Sequence, residues 1–414
     1  MSEMQTETAP SAAACEVPLR TYIAVVFWGE EFRRYFLDYC LASLMSPGNI
    51  PAIQNKSSAR LLIATRSDDW EAMQSEPIFI AAKKHIAVEH VPHEAPLKVP
   101  PDKKMWIMSQ GHKLVTRRLF EDRAHCVMAY PDAVFADGAI GRIEQLALQG
   151  YKVVLCIAVR FSNEGLSDEL KRSGLVKRGV PIDIGTKDLV RLTIKHLHSE
   201  AVRLDFESDL DDQGACSFFW VVSPGQDLLF HCVNWAPVLI DYSALSDHDD
   251  STFDNWTFDG DYVARNFSNV NDVYVVRNTS ELFLTSFTPE SKVSYPLVRL
   301  FPYRFAALRR ILKIARAHAN AKRLNTFDAL KKQCFRIPIR VQGGDAQELA
   351  WREAEQRAGK VVARILEPDN AVKRWLRVIP LLTLISRLRR SPYIIRNLAR
   401  QRRDRFLATR SAEQ

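Results

Sequence analysis

The sequence has 414 residues and a formal net charge of +8, with nearly half of its residues hydrophobic and a tenth aromatic. That excludes disordered and fibrous classes and leaves two or three units, or one large α/β core with an appendage. The seven cysteines are odd in number and scattered, without a C-x-x-C pair, so no disulfide framework, zinc motif or redox motif is expected and a reducing cytoplasm fits best.

Taken in chain order, residues 1–18 combine acids and small residues without a basic-then-apolar run, and read as a disordered tail, not a secretory signal. TYIAVVFWG (21–29) is a buried strand by its β-branched and aromatic content. EEFRRYFLDYCLASLM follows with apolar residues at helical spacing and is closed by SPGN. ARLLIATRSDDWEAM repeats the scheme: a strand, then Ser67 and Asp68 at a helix start. IAVEHVPH (86–93) predicts a third strand, and a long helix spans about Lys103 to Asp122.

HCVMAYPDAVFADG (125–138) then presents a strand that stops at Pro131, with Asp132 and Asp137 around a second apolar patch. A helix (GAIGRIEQLALQG) and a strong strand (YKVVLCIAVRF) come next. Strands alternating with helices predict a largely parallel, doubly wound sheet, whose ligands bind beyond the carboxyl ends of the strands. Residues 162–212 turn helical, and CSFFWVV, LLFHCV, PVLIDYS, DVYVVRN and ELFLTSF predict further strands of the same sheet, some antiparallel.

From Phe301 onward 27 Lys and Arg stand against 9 Asp and Glu, a balance of +18, whereas the first 300 residues balance at −10. In YRFAALRRILKIARAHANAKRL, Phe305, Leu308, Leu312 and Ala315 form an apolar stripe, with Arg309, Arg310, Lys313 and Arg316 on other faces. Such helices either lie on an anionic membrane surface or pack their stripe on the core. A nucleic-acid partner is the less favoured reading, because no recognition motif or stacking platform accompanies the charge. No segment approaches the roughly 18 consecutive apolar residues of a membrane-spanning helix; the best, VIPLLTLI at 378–385, is far shorter.

Chemistry is sought at the strand ends. Asp132, just beyond the fourth predicted strand, has the address of a carboxylate that holds Mg or Mn against a diphosphate; a plain turn or helix cap is the alternative. Trp28 and Gly29 end the first strand, where a nucleotide can approach closely. Thr65 and Asp68 end the second, as hydrogen-bonding partners of a base or ribose or as helix caps. His112, a lone helical histidine, reads either as a phosphate contact or as a surface or satisfied core residue. Asp259-Gly260-Asp261 is a literal D-x-D whose glycine permits a tight backbone, although a solvated loop reads the same way. The G-x-S-x-G, P-loop and G-x-G-x-x-G motifs are missing from the sequence, which removes the usual support for hydrolase, triphosphatase and dehydrogenase readings.

The pieces VFWGEEFRRYFLDYCLASLMSPGNIPAI, LLIATRSDDW, the helix with His112, YPDAVFADGAI and WTFDGDYV…DVYVVRNTSELFLTSFTP together resemble bacterial glycosyltransferase-like proteins, the nucleotide-diphospho-sugar transferases of the GT-A fold, over about residues 20–295. The resemblance implies a GT-A-like transferase domain at 19–300; the charge and helix pattern adds a basic helical region at 301–414, which suits a cytoplasmic enzyme peripheral to the membrane that acts on a lipid-linked or envelope glycan. It implies a nucleotide-diphospho-sugar donor contacted by Trp28, Gly29, Thr65, Asp68, His112 and Asp132, a glycan or lipid-linked acceptor, and a divalent metal (Mn or Mg) at Asp132 and Asp137. Asp132 matches the first acid of the family's D-x-D. Val134 stands where the second belongs, and Asp137 lies three residues further on. The candidates for a carboxylate base are Asp259, Asp261 and Asp241. Without catalysis, the same fold would serve as a sugar-nucleotide or partner-binding protein.

Overall fold

The computed structural model describes residues 19–96, 98–100, 103–212, 215–233, 235–257, 260–292, 297–300, 304–324 and 329–376. The predicted tail, the VIPLLTLI run and Asp259 lie outside the described residues. β1 (Thr21–Val26) leads through α1 (Glu30–Tyr35), a π-helical turn at Phe36–Cys40 and α2 (Leu41–Leu44) to β2 (Arg60–Thr65). α3 (Ser67–Met73) and α4 (Pro77–Lys83) connect to β3 (Ala87–Pro92), and the long α5 (Lys104–Glu121) returns the chain to β4 (His125–Ala129). β5 (Ala133–Phe135), α6 (Ala139–Leu148), β6 (Val153–Cys156) and β7 (Ala158–Ser162) follow, then α7 (Asn163–Arg172), α8 (Thr186–Lys195) and α9 (Ser199–Val202). β8 (Phe218–Ser223), β9 (Asp227–His231) and β10 (Ala236–Asp241) precede α10 (Gly260–Asn266), β11 (Val273–Val275) and β12 (Leu284–Thr288).

The central sheet has seven strands in the order β11-β6-β10-β4-β1-β2-β3. β1 pairs in parallel with β2 and β4, β2 with β3, and β11 with β6; β10 alone runs against its neighbours β4 and β6. This is a mixed α/β fold with a mainly parallel sheet flanked by helices. All six residues of β1 are buried, as expected of a strand covered on both faces. The right-handed crossover rule puts α1 to α4 on one face and α5 on the other. α5 packs so close to β1 that a Cβ at Gly111 would collide with Val26.

The later strands depart from the expectation of one sheet. YKVVLCIAVRF breaks at Ile157: β6 joins the central sheet, while β7 pairs with β12 in a second sheet ordered β5-β12-β7. Of the five later runs, PVLIDYS and DVYVVRN (β10 and β11) extend the central sheet. β8 and β9 form a hairpin in a third sheet, ordered β13-β9-β8.

That third sheet is completed by β13 (Ile339–Gln342), a strand inside the stretch predicted to be helical; α11 (Ala306–Leu324), α12 (Ala329–Arg336), α13 (Glu348–Leu366) and α14 (Asn370–Leu376) make up the rest of the described C-terminal part. Phe206, Phe218, Trp220 and Leu229 share one apolar cluster with Ile314, Ala315, Trp351 and Ile365. The C-terminal helices are therefore packed against strands from before residue 300. The apolar stripe of α11 is inward at Leu312 and Ala315, but Phe305 is exposed and Lys313 is fully buried. Among the described residues no helix is long and apolar enough to cross a membrane.

Candidate functional site

The chain steps outward from β1 to β2 to β3, then α5 carries it back so that β4 lies on the other side of β1. Strand order reverses between β1 and β4, the switch point at which sheets of this kind open a crevice to ligands. Trp28 and Gly29 leave β1 on one side, and Tyr130, Pro131 and Asp132 leave β4 on the other.

Gly29 sits at φ 84°, a region that L side chains rarely enter. Its N–H donates to Asp69 Oδ2 at 2.6 Å, and Asp69 Oδ1 accepts from the Arg33 guanidinium at 2.7 Å. The nearly buried Asp69 carboxylate thus ties the turn after β1 to the first turn of α3. Trp28 is half-buried and stands edge-on to His93, with ring centroids 6.1 Å apart. Thr65 is fully buried at the end of β2; its carbonyl accepts from His93 N at 3.0 Å and its Oγ1 has no hydrogen-bond partner.

Asp132 occupies a half-buried turn between β4 and β5, and its carbonyl accepts from Phe287 N of β12 at 2.9 Å. Its charge reaches Tyr35 and Cys40. Burial is the main force that raises both of those groups, and Asp132 adds to it. The Tyr35 hydroxyl accepts from Asn163 Nδ2 at 3.0 Å. The backbone at Asp132 is therefore a turn braced by β12, and the residue lies near the half-buried Tyr35 phenol at that switch point.

The remaining sequence candidates disperse. Asp68 forms a salt bridge with Arg66 at 2.8 Å, which holds its carboxyl below the ordinary range. His112 is buried on the inner face of α5, facing Phe253 at 5.9 Å. Burial, aided by the neighbouring His93, depresses it to about 3. It is therefore neutral near pH 7 and sits within the core. Asp137 Oδ1 accepts from Gly48 N at 2.6 Å, where the loop passes so close that a Cβ at Gly48 would meet the backbone of Gly138. Asp261 is buried in the first turn of α10, held by Arg265 at 2.8 Å and Thr252 Oγ1 at 3.1 Å. Asp241 ends the antiparallel β10 and therefore pairs with His125, the first residue of β4, its Oδ1 lying 3.4 Å from His125 Nε2. Four residue steps of about 3.3 Å separate that edge from the end of β4, so Asp241 is roughly 13 Å or more from the crevice. An antiparallel strand delivers its C-terminal acid to the opposite edge, and Asp241 does not join Asp132.

His93 and Asp69 are the residues that sequence reasoning does not single out. Asp69 has a legible signal, an acid in the first turn after a predicted strand. His93 has only its place one residue beyond β3. His231, in LLFHCV, is buried, its Nδ1 donating to the Phe335 carbonyl at 2.9 Å.

A divalent ion needs converging oxygen ligands. Val134 is buried where a second acid would stand, Asp137 is taken up by Gly48, and no group of three or more His, Cys, Asp or Glu suited to a metal occurs among the described residues. Among the described residues, donors that would hold an ion by protein ligands alone are not assembled, whereas one or two carboxylates with phosphate oxygens of a bound diphosphate would need fewer.

An open groove of about 350 Å³ lies on the third sheet, lined by Val222, Pro224, Ala346, Gln347, Leu349 and Glu353, apart from the strand ends just described.

No family model matches the sequence, and no curated protein matches it. Among solved structures, the chain is similar to a protein assigned as a glucose-1-phosphate thymidylyltransferase from Bacillus anthracis, solved in complex with sucrose. The identity is 9% and the TM-score 0.23, over 35% of this chain and 57% of that one. The chain thus spans a little over half the length of the structure it matches.

Proposed function

We propose that the chain is a GT-A-type glycosyltransferase that moves a sugar from a nucleotide-diphospho-sugar to a glycan or lipid-linked acceptor of envelope polysaccharide synthesis, at the cytoplasmic face of a membrane. The observation that carries this reading is the reversal of strand order between β1 and β4, framed by Trp28 and Gly29 on one side and Asp132 on the other. In this reading the nucleoside lies against Trp28 and over the Gly29 backbone, near Thr65, and the diphosphate and sugar extend toward Asp132.

The acceptor oxygen forms a bond to the anomeric carbon as the bond from that carbon to the diphosphate oxygen breaks. The acceptor proton passes to a carboxylate, and nucleoside diphosphate departs. Asp261 is engaged with Arg265, and Asp241 stands at the opposite sheet edge. Asp132, at the carboxyl end of β4, is the described acid on the donor side of the sheet, and this reading gives it the proton. Asp259 keeps a claim from sequence alone.

Thermal unfolding with UDP-, GDP- and CMP-sugars, with and without manganese, tests the reading. At least one sugar nucleotide is expected to raise the midpoint by several degrees, and Asp132→Ala to abolish that rise. Wild-type protein that responds to none of them overturns it. The buried Val134 in place of a second acid favours one other reading, a sugar-nucleotide-binding protein without catalysis. Under it, binding persists but nucleoside diphosphate is not released when acceptor glycans are added.

A further inference from the structure

The segment after β10 runs along α5 in the opposite sense, and its contacts can be followed turn by turn. Arg117 meets Asp250 at 2.6 Å, Lys113 meets Asp254 at 2.8 Å, Gln110 Nε2 donates to the Phe253 carbonyl at 3.3 Å, and Ser109 Oγ donates to the Trp256 carbonyl at 2.7 Å. Trp106 lies one turn before Gln110 and two before Lys113, on the helix face that makes these contacts. Trp106 and the backbone of Trp256 therefore both lie at the start of α5. Because α5 runs from the end of β3 back to the start of β4, that is the carboxyl edge of the sheet, the edge that also carries Trp28 and His93.

Both indoles are more than half exposed, 53% for Trp106 and 54% for Trp256. Tryptophan is highly buried on average, so two exposed indoles near the start of one helix at one edge of the sheet point to a surface that binds something. The surroundings select the occupant. A pyranose ring offers a C–H face to an aromatic ring and hydroxyl groups around its rim. Here Asp254 and Asn255, both exposed, precede Trp256, and half-buried Gln110 lies one turn after Trp106, polar neighbours of the kind that pair with sugar hydroxyls. An acyl chain or apolar peptide requires a continuous apolar trough, whereas this patch is two rings and Met105 interrupted by exposed Lys103 and Lys104.

We propose that Trp106 and Trp256 form a stacking platform for a pyranose ring of the glycan acceptor, placed on the rim of the crevice that takes the donor. The proposal rests on the transferase reading and names its acceptor subsite.

Affinity electrophoresis in native gels containing dextran, mannan, soluble glycol chitin or galactan tests it on the full chain. Wild-type protein is expected to be retarded by at least one of these polysaccharides. Trp106→Ala and Trp256→Ala are each expected to weaken that retardation at least tenfold, Trp106→Phe to keep part of it, and Leu114→Ala, an exposed apolar residue further along α5, to leave it unchanged. Thermal midpoints and the response to sugar nucleotides should stay at wild-type values in the two tryptophan variants. Wild-type protein that binds a sugar nucleotide but no polysaccharide overturns the platform, and so do alanine variants that retain full retardation. Loss of phosphatidylglycerol-vesicle binding in place of glycan binding would reassign the patch to lipid and overturn it too. Glycan retention without any response to sugar nucleotides would leave the platform standing and remove the transferase reading.

Discussion

Asp69 is the side chain on which the geometry at the end of β1 depends most. It is nearly fully buried, and it accepts from both the Gly29 N–H and the Arg33 guanidinium. Removing one partner of a buried, hydrogen-bonded ion pair leaves the other charge uncompensated, at a cost of about 3 kcal/mol. Asp69→Ala is therefore expected to lower the unfolding free energy in urea by about that amount, and Gly29→Ala by roughly 1–3 kcal/mol through backbone strain at positive φ. A neutral result for Asp69→Ala would mean that the turn holds itself. His112 adds a pH dependence with a definite sign. Its folded value of about 3 lies below the ordinary 6.5 because burial disfavours the imidazolium. Below pH 6.5 the unfolded chain binds a proton that the folded chain refuses, so stability is complete above 6.5 and declines as pH falls toward 3, at up to about 1.4 kcal/mol per unit. His93 is depressed in the same direction, by burial. His112→Asn should flatten the acid limb of a stability-against-pH curve by close to one proton, whatever it does to stability at pH 7. An unchanged slope would show that His112 titrates normally.

At the scale of elements, the helix α11 shows how far a helical pattern can be read and where it stops. The alternation of apolar and basic residues places Leu312 and Ala315 on the packed face, and they are buried there. The same pattern sends Lys313 and Arg316 toward solvent, and the structure turns both inward. The cause is the acidic segment 205–212, about a hundred residues earlier, which no helical period can reveal. Lys313 Nζ donates to the carbonyls of Asp205, Phe206 and Ser208 at 2.8, 3.2 and 3.1 Å. Arg316 pairs with the buried Asp211 at 2.8 Å, and Arg310 with Glu207. Lys313→Met keeps the length and apolar stem of the side chain but leaves the carbonyls of Phe206 and Ser208 without their donor, while that of Asp205 keeps the Ser208 N–H and hydroxyl. Each buried unsatisfied acceptor costs on the order of 1–3 kcal/mol, partly offset by no longer burying an ammonium. The expected net loss is about 3 kcal/mol in urea unfolding. A gain in stability would show that desolvation of the lysine outweighs its hydrogen bonds. The strands were more legible than the helices' partners, because β1, β2 and β4 are buried on both faces and announce themselves as continuous apolar runs. Which sheet a later strand joins depends on long-range pairing, and the run from Tyr151 to Phe161 divides between two sheets at Ile157 with nothing local to mark it.

For the whole molecule, the charge asymmetry divides differently from the way the composition suggested. In α11, Arg310, Lys313 and Arg316 are engaged with acids or carbonyls of the segment 205–212, so their charge is largely cancelled at short range. The strand ends follow the same logic of scale: Asp132 and Gly29 stand at the carboxyl ends of β4 and β1, where their sequence positions put them, whereas Asp241 lies at the opposite edge because β10 runs antiparallel. Residues 377–414 carry 10 Lys and Arg against 2 Asp and Glu, so a chain ending at Leu376 has a formal net charge of zero in place of +8. If an anionic surface is a partner, that segment supplies the attraction, at about 1 kcal/mol for each basic residue near the bilayer. Full-length protein is then expected to sediment with phosphatidylglycerol vesicles at low salt and to be released as ionic strength rises and the Debye length falls below about 8 Å. The 1–376 chain should lose at least tenfold in vesicle affinity while keeping its thermal response to sugar nucleotides, because the crevice and its supports lie wholly within the retained residues. Equal vesicle binding by both chains would move the attraction to the described body. Loss of the sugar-nucleotide response on truncation would make the segment part of the donor site, which the packing around β1 and β4 does not require.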